Sequence, residues 1–489
     1  MSAGKNSDGR VMETSPCCFC PSLAGNGDTK VGGRLSVMAS RQFGDNKIDM
    51  LHGPLLVKIL TFALPLAASS VLQQLFNSVD VAVVGRFASS EALAAVGSNA
   101  PVINLLVNLF VGISMGANAV ISNHIGQNDK ERIRSAVSTS AVVALFSGIF
   151  LTALGVAVAK PVHSMMGTPA EVTNMAVSYL RIYFLGMPFI MIFNFGSAIL
   201  RSLGDTRRPL YILVAAGILN TVLNLLFVIV FHMGVEGVAI ATGISNLFSA
   251  AMVVSILLKE EDPYKLHPDD LRIQRDELSH MLEIGVPAGL QGVVFSISNV
   301  VIQASINSFG FNAVAGSAAA LNFEQYCYYV IAAFNGAAIS FVGQNYGAGN
   351  MDRVKRIFMI CMGLGTVSCA ALNWMFAGWS DFFLGLFTDS DAVKGFGTIR
   401  MHTALVFQGL ACLYEIPGSA LRGMGRSILP TLLTVFGTCL LRIVWVYTIF
   451  PVWKGFHALM FVYPVSWTIT GIMVMTAFIV TFRRIRKKA

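Results

Sequence analysis

The sequence predicts an all-α polytopic membrane protein, built from twelve transmembrane helices in two six-helix lobes. Three observations predict this class: the composition, the recurrence of long apolar segments, and an internal repeat. Hydrophobic residues make up 55% of the 489 positions, charged residues only 12%, and the mean hydropathy is +0.67. Because charged residues are about a quarter of an ordinary soluble domain, this composition indicates a membrane protein without a soluble domain.

The apolar segments are each at least about 20 residues long, which is enough to cross a bilayer as a helix. Twelve of them follow one another, separated by short polar or basic connections, and we number them in chain order. They cover residues 55–84, 92–122, 133–159, 172–199, 210–231, 237–258, 281–306, 312–343, 354–377, 397–420, 428–450 and 457–482.

The basic residues are distributed in a way that orients the chain. From Lys47 onward, 22 Lys and Arg residues fall on the side that holds both termini, and six, among them Arg400, fall on the other side. The positive-inside rule therefore predicts that both termini are cytoplasmic. Basic loops facing an anionic leaflet also explain the net charge of +8, so no nucleic-acid partner is expected.

The two halves of the chain repeat one another. Residues 200–204 (LRSLG) match residues 421–425 (LRGMG) at an offset of 221, and Pro65 matches Pro287 at 222. Six spans per half is an even number, so both halves enter from the same side and form parallel lobes, which favours alternating access around a central cavity over a channel. The predicted domains are a disordered tail (1–50), an N-lobe (51–258), a cytoplasmic linker (259–280), a C-lobe (281–482) and a basic cytoplasmic tail (483–489).

The predicted tail is rich in Gly, Ser, Asp and Lys and lacks hydrophobic periodicity, as is typical of a disordered segment. It has no apolar stretch of the kind that a signal peptide needs, and a start at Met38 or Met50 is a hypothesis that the sequence allows. Cys17 and Cys20 have the spacing of half a zinc site, but no His lies near them. An untethered tail is the simpler interpretation.

Four oxygen-bearing side chains are predicted to lie at similar depths in the N-lobe. Asp80 lies five residues before Gly85, where the first span ends. Asn224 lies seven residues before the fifth span ends and Thr242 five residues into the sixth, so Asp80, Asn224 and Thr242 fall ~8–10 Å below the same surface. Asn220, one turn before Asn224 on the same helix face, adds a fourth oxygen-bearing side chain at a compatible depth. Carboxylate and amide oxygens suit Na+, or a proton with hydrogen-bonding partners. The alternative is a structural role as polar contacts between helices.

Acidic and aromatic residues together mark the C-lobe as the predicted cargo site. Glu324 opens the run EQYCYY in the eighth span, and Glu415 follows Tyr414 in the tenth. An acid beside aromatic rings is what an organic cation needs, through charge and cation–π contact. The alternative is that Arg442 neutralises Glu324 or Glu415 structurally. The predicted cavity residues are Glu324, Tyr326, Tyr329, Tyr414, Glu415 and Arg442.

Motifs that would indicate an enzyme are missing from the sequence. No phosphate-binding loop or nucleophile–base arrangement stands out, and the eight His residues show no metal-ligand spacing. We therefore expect neither an ATPase nor another enzyme, and no cofactor.

Several motifs occur in an order that is typical of one transporter family. They are NSVDVAVVGRF, EALAAVGSNAPV, VGISMGANAVIS, LRSLGDTRRP, its twin LRGMGRSILP, and FVGQNYGAGN. Through them, residues 46–485 resemble the multidrug and toxic compound extrusion (MATE) transporters, and most closely their bacterial DinF-type and MepA-like branch. The resemblance implies two lobes around a V-shaped cavity, and export of organic cations and other drugs driven by inward Na+ or H+ flow.

The family's N-lobe ion site maps onto individual residues of this chain. Its first-span Asp corresponds to Asp80, its fifth-span Asn-x-x-x-Asp to Asn220 and Asn224, and the following Thr to Thr242. Asn224 stands where the family has a second acid, so one carboxylate holds the predicted site, and either Na+ or H+ fits as the coupling ion. We further expect a monomer in contact with membrane lipids, in the bacterial plasma (inner) membrane.

A lipid-linked precursor flippase of the same superfamily is the alternative function. Such a protein has two further helices and a basic central cavity. Within the spans predicted here, Asp80, Glu324 and Glu415 are acidic and Arg442 is basic. This mostly acidic set favours cationic cargo.

Overall fold

The computed structural model describes residues 47–165 and 170–487, and that part of the chain contains helices and connecting turns without a β-strand. Most of the predicted tail, with its cysteines, and residues 488–489 lie outside the described residues. The N-lobe comprises α1 (Leu55–Phe87), α2 (Ser90–Gln127), α3 (Lys130–Met165), α4 (Ala170–Leu185), α5 (Met187–Ser202), α6 (Arg207–Leu225) with a π-helical turn (Leu226–Val230), and α7 (Gly234–Lys259).

The C-lobe repeats this order with more interruptions. It comprises α8 (Arg275–Asn307), α9 (Phe311–Gly347), α10 (Met351–Gly378), α11 (Ser380–Gly385), α12 (Asp391–Thr403), a 3₁₀ segment (Leu405–Ala411), α13 (Cys412–Gly423), α14 (Ile428–Thr434), a π-helical segment (Val435–Leu440), α15 (Leu441–Thr448), α16 (Phe456–Met460) and α17 (Val462–Arg486). Since α8 begins at Arg275, its first turns lie within the stretch predicted as the linker.

Eleven helical stretches of the described residues are long and apolar enough to cross a bilayer, and α4 with α5 forms a twelfth when this bent pair counts as one span. The two helices of the pair differ in direction by 46°. Their break lies at Gly186, and Pro188 in the first turn of α5 has no N–H with which to continue the helix. The twelve predicted spans are confirmed, and the fourth is broken at this point.

Local chemistry fixes the ends of α2, a helix that touches both lobes. Ser89 caps its first turn, because the Ser89 hydroxyl oxygen accepts the N–H of Ala92 at 3.1 Å. Asn128 ends the helix in the left-handed conformation, with φ of 56°, which asparagine tolerates better than most residues. Asp129 then caps α3 by accepting the N–H of Arg132 at 3.1 Å.

The two lobes meet where α2 crosses α8. We call the face of the bundle at which α1 begins and α17 ends the terminal face, and the opposite one the distal face. In the half toward the terminal face, Gly112 and Gly116 of α2 lie against Gly285 and Gly289 of α8. A Cβ at Gly112 would lie 2.3 Å from the backbone nitrogen of Gly289, so the close approach requires glycine.

Between this crossing and the terminal face, buried polar contacts also join the two lobes. His124 Nε2 of α2 lies 2.8 Å from Glu277 Oε2 of α8, and both side chains are buried. Asn123 Nδ2 donates to the carbonyl oxygen of Gly423 at 2.9 Å. Gln344 Nε2 of α9 donates to the carbonyl oxygen of Ser202 at 2.7 Å. The lobes are therefore joined by both backbone packing and hydrogen bonds on this side.

Residues 47–54, which we call the N-terminal strap, lie across the same face. The N–H of Ile48 donates to the Gly204 carbonyl oxygen of the N-lobe at 3.3 Å. The Met50 carbonyl oxygen accepts from Asn345 Nδ2 of the C-lobe at 3.0 Å and from Arg353 at 3.3 Å, and Met50 is only 1% exposed. Residues 47–50, which the sequence assigns to the disordered tail, thus pack on the bundle because their backbone and the Met50 side chain find partners in both lobes.

Glu260, directly after α7, anchors the strap, and replacing it is our first prediction. Its Oε2 lies 2.7 Å from Lys47 Nζ and its Oε1 lies 2.5 Å from Arg208 Nη1. Burial by itself would raise the pKa of Glu260, but hydrogen bonds from Lys47 and Arg208 outweigh it and hold this pKa below its usual range. Glu260→Gln leaves both cations without this carboxylate, so we expect the free energy of unfolding to fall by about 1–3 kcal/mol.

The pH dependence distinguishes this ion pair from a packing effect. A lowered carboxyl pKa stabilises the fold above the pKa of the unfolded state, and that stabilisation is lost as the protein is acidified. The difference between wild type and Glu260→Gln should be complete at neutral pH and shrink below about pH 4. Thermal melts at both pH values measure it, with the exposed Glu261→Gln as control. Equal melting of Glu260→Gln and wild type at neutral pH would contradict the anchoring role.

Candidate functional site

The four residues of the predicted ion site form one hydrogen-bonded chain across three helices. Asn224 Nδ2 of α6 donates to Asp80 Oδ1 of α1 at 2.5 Å and to Asn220 Oδ1 at 3.2 Å. Asn220 Nδ2 donates in turn to Thr242 Oγ1 of α7 at 3.4 Å. The structure therefore brings together all four residues that the sequence placed at matching depths.

Helix geometry places these side chains side by side. Asn220 and Asn224 are one turn apart on α6, so they face the same neighbours. Gly217, about one turn earlier, lets α1 approach α6 closely, since a Cβ there would lie 1.9 Å from the ring of Phe76. Asp80 follows Phe76 by one turn on α1, and the close approach thus brings its carboxylate against Asn224.

One hydrogen-bond acceptor of this cluster has no partner among the described residues, although the cluster's donors are hydrogen-bonded. Asn220 and Asn224 are buried, and the Asn224 Oδ1 atom has no hydrogen-bond partner among the described residues. A buried acceptor without a partner costs about 1–3 kcal/mol, so a bound cation or proton donor would relieve it. Carboxylate and amide oxygens are ligands that a hard cation prefers. The arrangement can hold one monovalent ion or proton.

Two tyrosines that the sequence analysis missed lie near this carboxylate. Tyr179 and Tyr183 of α4 stack with ring centroids 6.1 Å apart, and both interact electrostatically with Asp80. Their spacing of four residues puts them on one helix face, but nothing in the sequence shows that this face turns toward α1. Their two stacked rings therefore lie on the α4 side of the candidate ion site.

No group of three or more His, Cys, Asp or Glu side chains able to hold a metal occurs in residues 47–165 and 170–487. A cavity of about 330 Å³ lies at the distal ends of α1, the π-helical turn and α7, and its lining includes Phe87, Val228 and Glu236. Val228 is about one helical turn beyond Asn224. The cavity therefore lies on the distal side of the cluster, about one helical turn away along α6 and its π-helical turn.

A second, larger cavity of about 500 Å³ lies between α2 and the C-lobe helices. Of the six predicted cavity residues, Glu324, Tyr414, Glu415 and Arg442 line it. Tyr326 and Tyr329 are not among its lining residues. The volume suits a drug-sized molecule.

Tyr326 and Tyr329 instead belong to the contact between α9 and α1. The Tyr329 hydroxyl donates to Gln74 Oε1 at 2.9 Å, across the two lobes. The Tyr326 ring packs edge-on against Tyr329, with centroids 6.4 Å apart. In this conformation they do not line the 500 Å³ cavity, because their helix face turns toward the N-lobe; Tyr328 lines it instead.

Glu324 is neutralised by a residue that the sequence analysis placed elsewhere. Arg400 of α12 donates from Nε to Glu324 Oε1 at 2.6 Å and from Nη2 to Glu324 Oε2 at 2.8 Å, and its Nη1 donates to Ser317 Oγ at 2.6 Å. The alternative that Arg442 neutralises Glu324 is therefore wrong, as is the assignment of Arg400 to an outer segment. The sequence held one indication that Arg400 is buried in the bundle, because Arg400 lies three residues inside the predicted tenth span.

Glu415 is held by an amide instead of an arginine. Its Oε2 accepts from Asn335 Nδ2 at 2.9 Å, and no ion pair of Glu415 within 4.0 Å is found among the described residues. Arg422, from the repeated LRGMG motif, is buried nearby and donates from Nη2 to Gln291 Oε1 at 2.7 Å. The Nε of Arg422 has no partner among the described residues.

The charge lining this cavity differs from the sequence-based expectation. Three arginines, at positions 400, 422 and 442, face two glutamates, at positions 324 and 415, which leaves a formal excess of one positive charge. The mostly acidic interior expected from the sequence is therefore wrong for this cavity, because Arg400 and Arg422 reach into it from helix ends that were counted as loops.

A family model described as MatE matches residues 65–226 and 287–448 of the chain. The chain belongs to the MatE family. The two matches begin at Pro65 and Pro287, the pair that the internal repeat aligns, so each lobe of this MatE protein carries one copy of the family's repeat. Membership confirms the resemblance found in the sequence, and confirms a transporter as opposed to an enzyme.

Individual relatives and solved structures agree with this assignment. The chain is 27% identical to the probable multidrug resistance protein YoeA of Bacillus subtilis (strain 168), over 77% of this chain and 82% of YoeA. It is 22% identical to the multidrug export protein MepA of Staphylococcus aureus (strain bovine RF122 / ET3-1), over 74% and 80%. A multidrug resistance MATE family transporter of the MOP superfamily, solved in an outward-facing conformation, has the same fold, with a TM-score of 0.83, 24% identity and coverage of 90% and 98%.

Proposed function

We propose that this MatE transporter is a secondary-active antiporter that exports small organic compounds, including cationic drugs, in exchange for Na+ or H+. The observation that carries the proposal is the hydrogen-bonded chain from Asp80 through Asn224 and Asn220 to Thr242. Relatives named as multidrug resistance and export proteins support the class of cargo. The protein acts as a monomer in the bacterial plasma membrane, with its terminal face in the cytoplasm, as the distribution of basic residues predicts.

In this proposal, Asp80 binds the coupling ion, and this binding drives the conformational change of the transport cycle. Na+ would bind between the carboxylate and the unpartnered Asn224 Oδ1, whereas a proton would neutralise the carboxylate beside that amide. With Asn224 in place of a second acid, one monovalent charge fits per cycle. Because the four side chains come from three helices, the ion favours the conformation that holds α1, α6 and α7 at this spacing, and so shifts the balance between two states.

The conformation seen here supports a direction for the exchange. The lobes are sealed on the terminal side by the crossing of α2 and α8 and by the His124–Glu277 contact. Cargo in the C-lobe cavity would therefore leave toward the distal side, and the coupling ion would enter from it. Opening of the seal would then expose both sites to the terminal side, which completes alternating access.

The lipid-linked precursor flippase is the second candidate function, and the cavity charge is the observation that favours it. Three arginines facing two glutamates suit a phosphate-bearing headgroup better than a cation. The antiporter remains better supported, because flipping a lipid gives no role to the Asp80 cluster in the opposite lobe.

Transport by purified protein in liposomes tests this proposal and is our second prediction. Ethidium efflux is measured with an inward Na+ gradient at equal pH, with an inward pH gradient without Na+, and with neither. We expect one gradient to raise the efflux rate at least about fivefold, and an ionophore that collapses this gradient to remove the gain. A parallel assay follows movement of a fluorescent lipid between leaflets. If the protein moves the lipid between leaflets but shows no gradient-driven ethidium efflux, the antiporter proposal is wrong and the flippase is the function.

A further inference from the structure

Arg442 of α15 carries a buried positive charge that is not paired with a carboxylate of the described residues. Its side chain is 3% exposed and lines the 500 Å³ cavity. Its Nε donates to Ser466 Oγ at 3.3 Å and its Nη1 to Asn299 Oδ1 at 3.4 Å, both long for such bonds. No carboxylate of the described residues lies within 4.0 Å of it. These weak neutral contacts leave the guanidinium available to a stronger acceptor.

Arg400, in the same cavity, shows how this protein neutralises a buried guanidinium. It makes the two-point ion pair with Glu324, with both bonds under 3 Å, and a third short bond to Ser317. A buried charge in a membrane protein without such a partner is costly, and it marks a ligand or ion pathway by default. The contrast between the two arginines therefore indicates that Arg442 is left unpaired for a ligand.

The surroundings of Arg442 are positive and aromatic. Its guanidinium carbon lies 4.5 Å from the centroid of the Tyr463 ring, and that of Arg400 lies 5.5 Å from the same ring. Two guanidinium groups thus flank Tyr463, and only the one of Arg400 is seen paired with a carboxylate, that of Glu324. Phe295, at 5.9 Å from Arg442, and Trp467 add apolar surface to the lining. A matching ligand has an anionic head and an apolar or aromatic body.

We propose that Arg442 is the anchor of an anion subsite, which binds a carboxylate, sulfonate or phosphate group on an amphipathic cargo molecule. The planar guanidinium offers such a group two parallel N–H donors once the long bonds to Ser466 and Asn299 are released. This inference rests on the proposed function and names part of its cargo: a molecule with an anionic group, on its own or beside a cationic group that Glu415 contacts. It adds an anionic group to the organic cations and other drugs expected from the sequence.

Equilibrium binding without any ion gradient tests the subsite. Wild-type protein in nanodiscs of neutral phosphatidylcholine is dialysed against cholate, an anionic amphiphile, and separately against ethidium. Arg442→Gln should weaken cholate binding at least tenfold and leave ethidium binding unchanged or tighter. Arg442→Lys, which keeps the charge but not the two parallel donors, should recover only part of the cholate affinity, and the exposed Arg426→Gln should behave as wild type. Size-exclusion profiles show that each variant is folded.

Nanodiscs containing phosphatidylglycerol identify the source of the anion. If this lipid suppresses cholate binding in wild type, a lipid headgroup occupies the subsite; if it does not, the subsite takes a soluble anion, and both results support the proposal. Absence of cholate binding in wild type, or equal binding by folded Arg442→Gln, would overturn it. Since no gradient is involved, failure of ion-driven antiport would leave this result standing, and failure here would leave the antiport proposal intact.

Discussion

Replacing Asp80 with asparagine is expected to abolish ion-driven export while leaving the fold and cargo binding intact. The amide is nearly isosteric with the carboxylate, and its oxygen would still accept the bond from Asn224 Nδ2 that the Asp80 carboxylate accepts at 2.5 Å. The chain of contacts to Asn220 and Thr242 is therefore preserved. What is lost is the only charge in the cluster, and with it the affinity for Na+ or H+.

The expected defect is specific to coupling. An ion shifts a conformational equilibrium only by the difference of its affinities for the two states, so a site that no longer binds the ion shifts nothing. Gradient-driven ethidium efflux by Asp80→Asn should fall at least about fivefold, to the rate without a gradient. Exchange of labelled for unlabelled cargo at equal concentrations, which needs no ion gradient, should continue.

Both rates are measured in the same liposomes at matched protein content. Asp389→Asn is the matched control, because Asp389 is an exposed carboxylate in the loop before α12 and the substitution removes the same charge. It should transport as wild type does. Gradient-driven efflux by Asp80→Asn at the wild-type rate would exclude this carboxylate from coupling and return the cluster to its alternative interpretation, polar contacts between helices.

The Asp80 cluster was predictable because depth in a membrane helix can be counted along the sequence. Each residue adds about 1.5 Å along the axis, so Asp80, Asn224 and Thr242 could be placed at similar depths from the span boundaries alone. Asn220 followed from its place one turn before Asn224 on the same helix face. The same counting gave the twelve spans. It could not give the 46° bend at Gly186, since a Pro inside a span permits a kink without requiring one.

The C-lobe cavity was predicted less well because depth leaves rotation about the helix axis undetermined. Glu324, Tyr326 and Tyr329 lie within two turns of α9, yet Glu324 faces Arg400 and Tyr329 faces Gln74 of the other lobe. Counting depth placed Arg442 near Glu324, whereas the pairing with Arg400 depends on which faces of α9 and α12 meet. Ion pairing within a bundle is therefore fixed by tertiary packing, and one sequence without that packing leaves the partner of each charge open.

Adding a single methyl group at Gly112 is expected to prevent the lobes from closing at the terminal face. A Cβ there would lie 2.3 Å from the nitrogen and 2.5 Å from the Cα of Gly289, and 2.7 Å from the carbonyl oxygen of Gly285. All three are backbone atoms, so no side chain can move aside to make room. Relief requires α2 and α8, and with them the two lobes, to separate.

The size of the effect follows from the cost of overpacking. Inserting a methyl group into a tight contact costs about 1–3 kcal/mol, and every 1.4 kcal/mol changes a population ratio tenfold. Because the strain exists only when the terminal face is sealed, Gly112→Ala should move the population toward the state open at that face. Transport should slow by a similar factor, since each cycle passes through the sealed state.

Distance measurements between spin labels on the two lobes report this shift directly. Lys130 at the start of α3 and Lys355 on α10 are exposed and belong to different lobes, so cysteines introduced there in a cysteine-depleted background carry the labels. Gly112→Ala should broaden the distribution toward longer distances. Gly97→Ala, on the same helix but with no atom within 4 Å of its Cβ, adds the same methyl group without the clash and should keep the wild-type distribution. If the two substitutions give the same distances and rates, the glycine crossing is not what holds the terminal face closed, and the seal must rest on the polar contacts around His124 and the N-terminal strap.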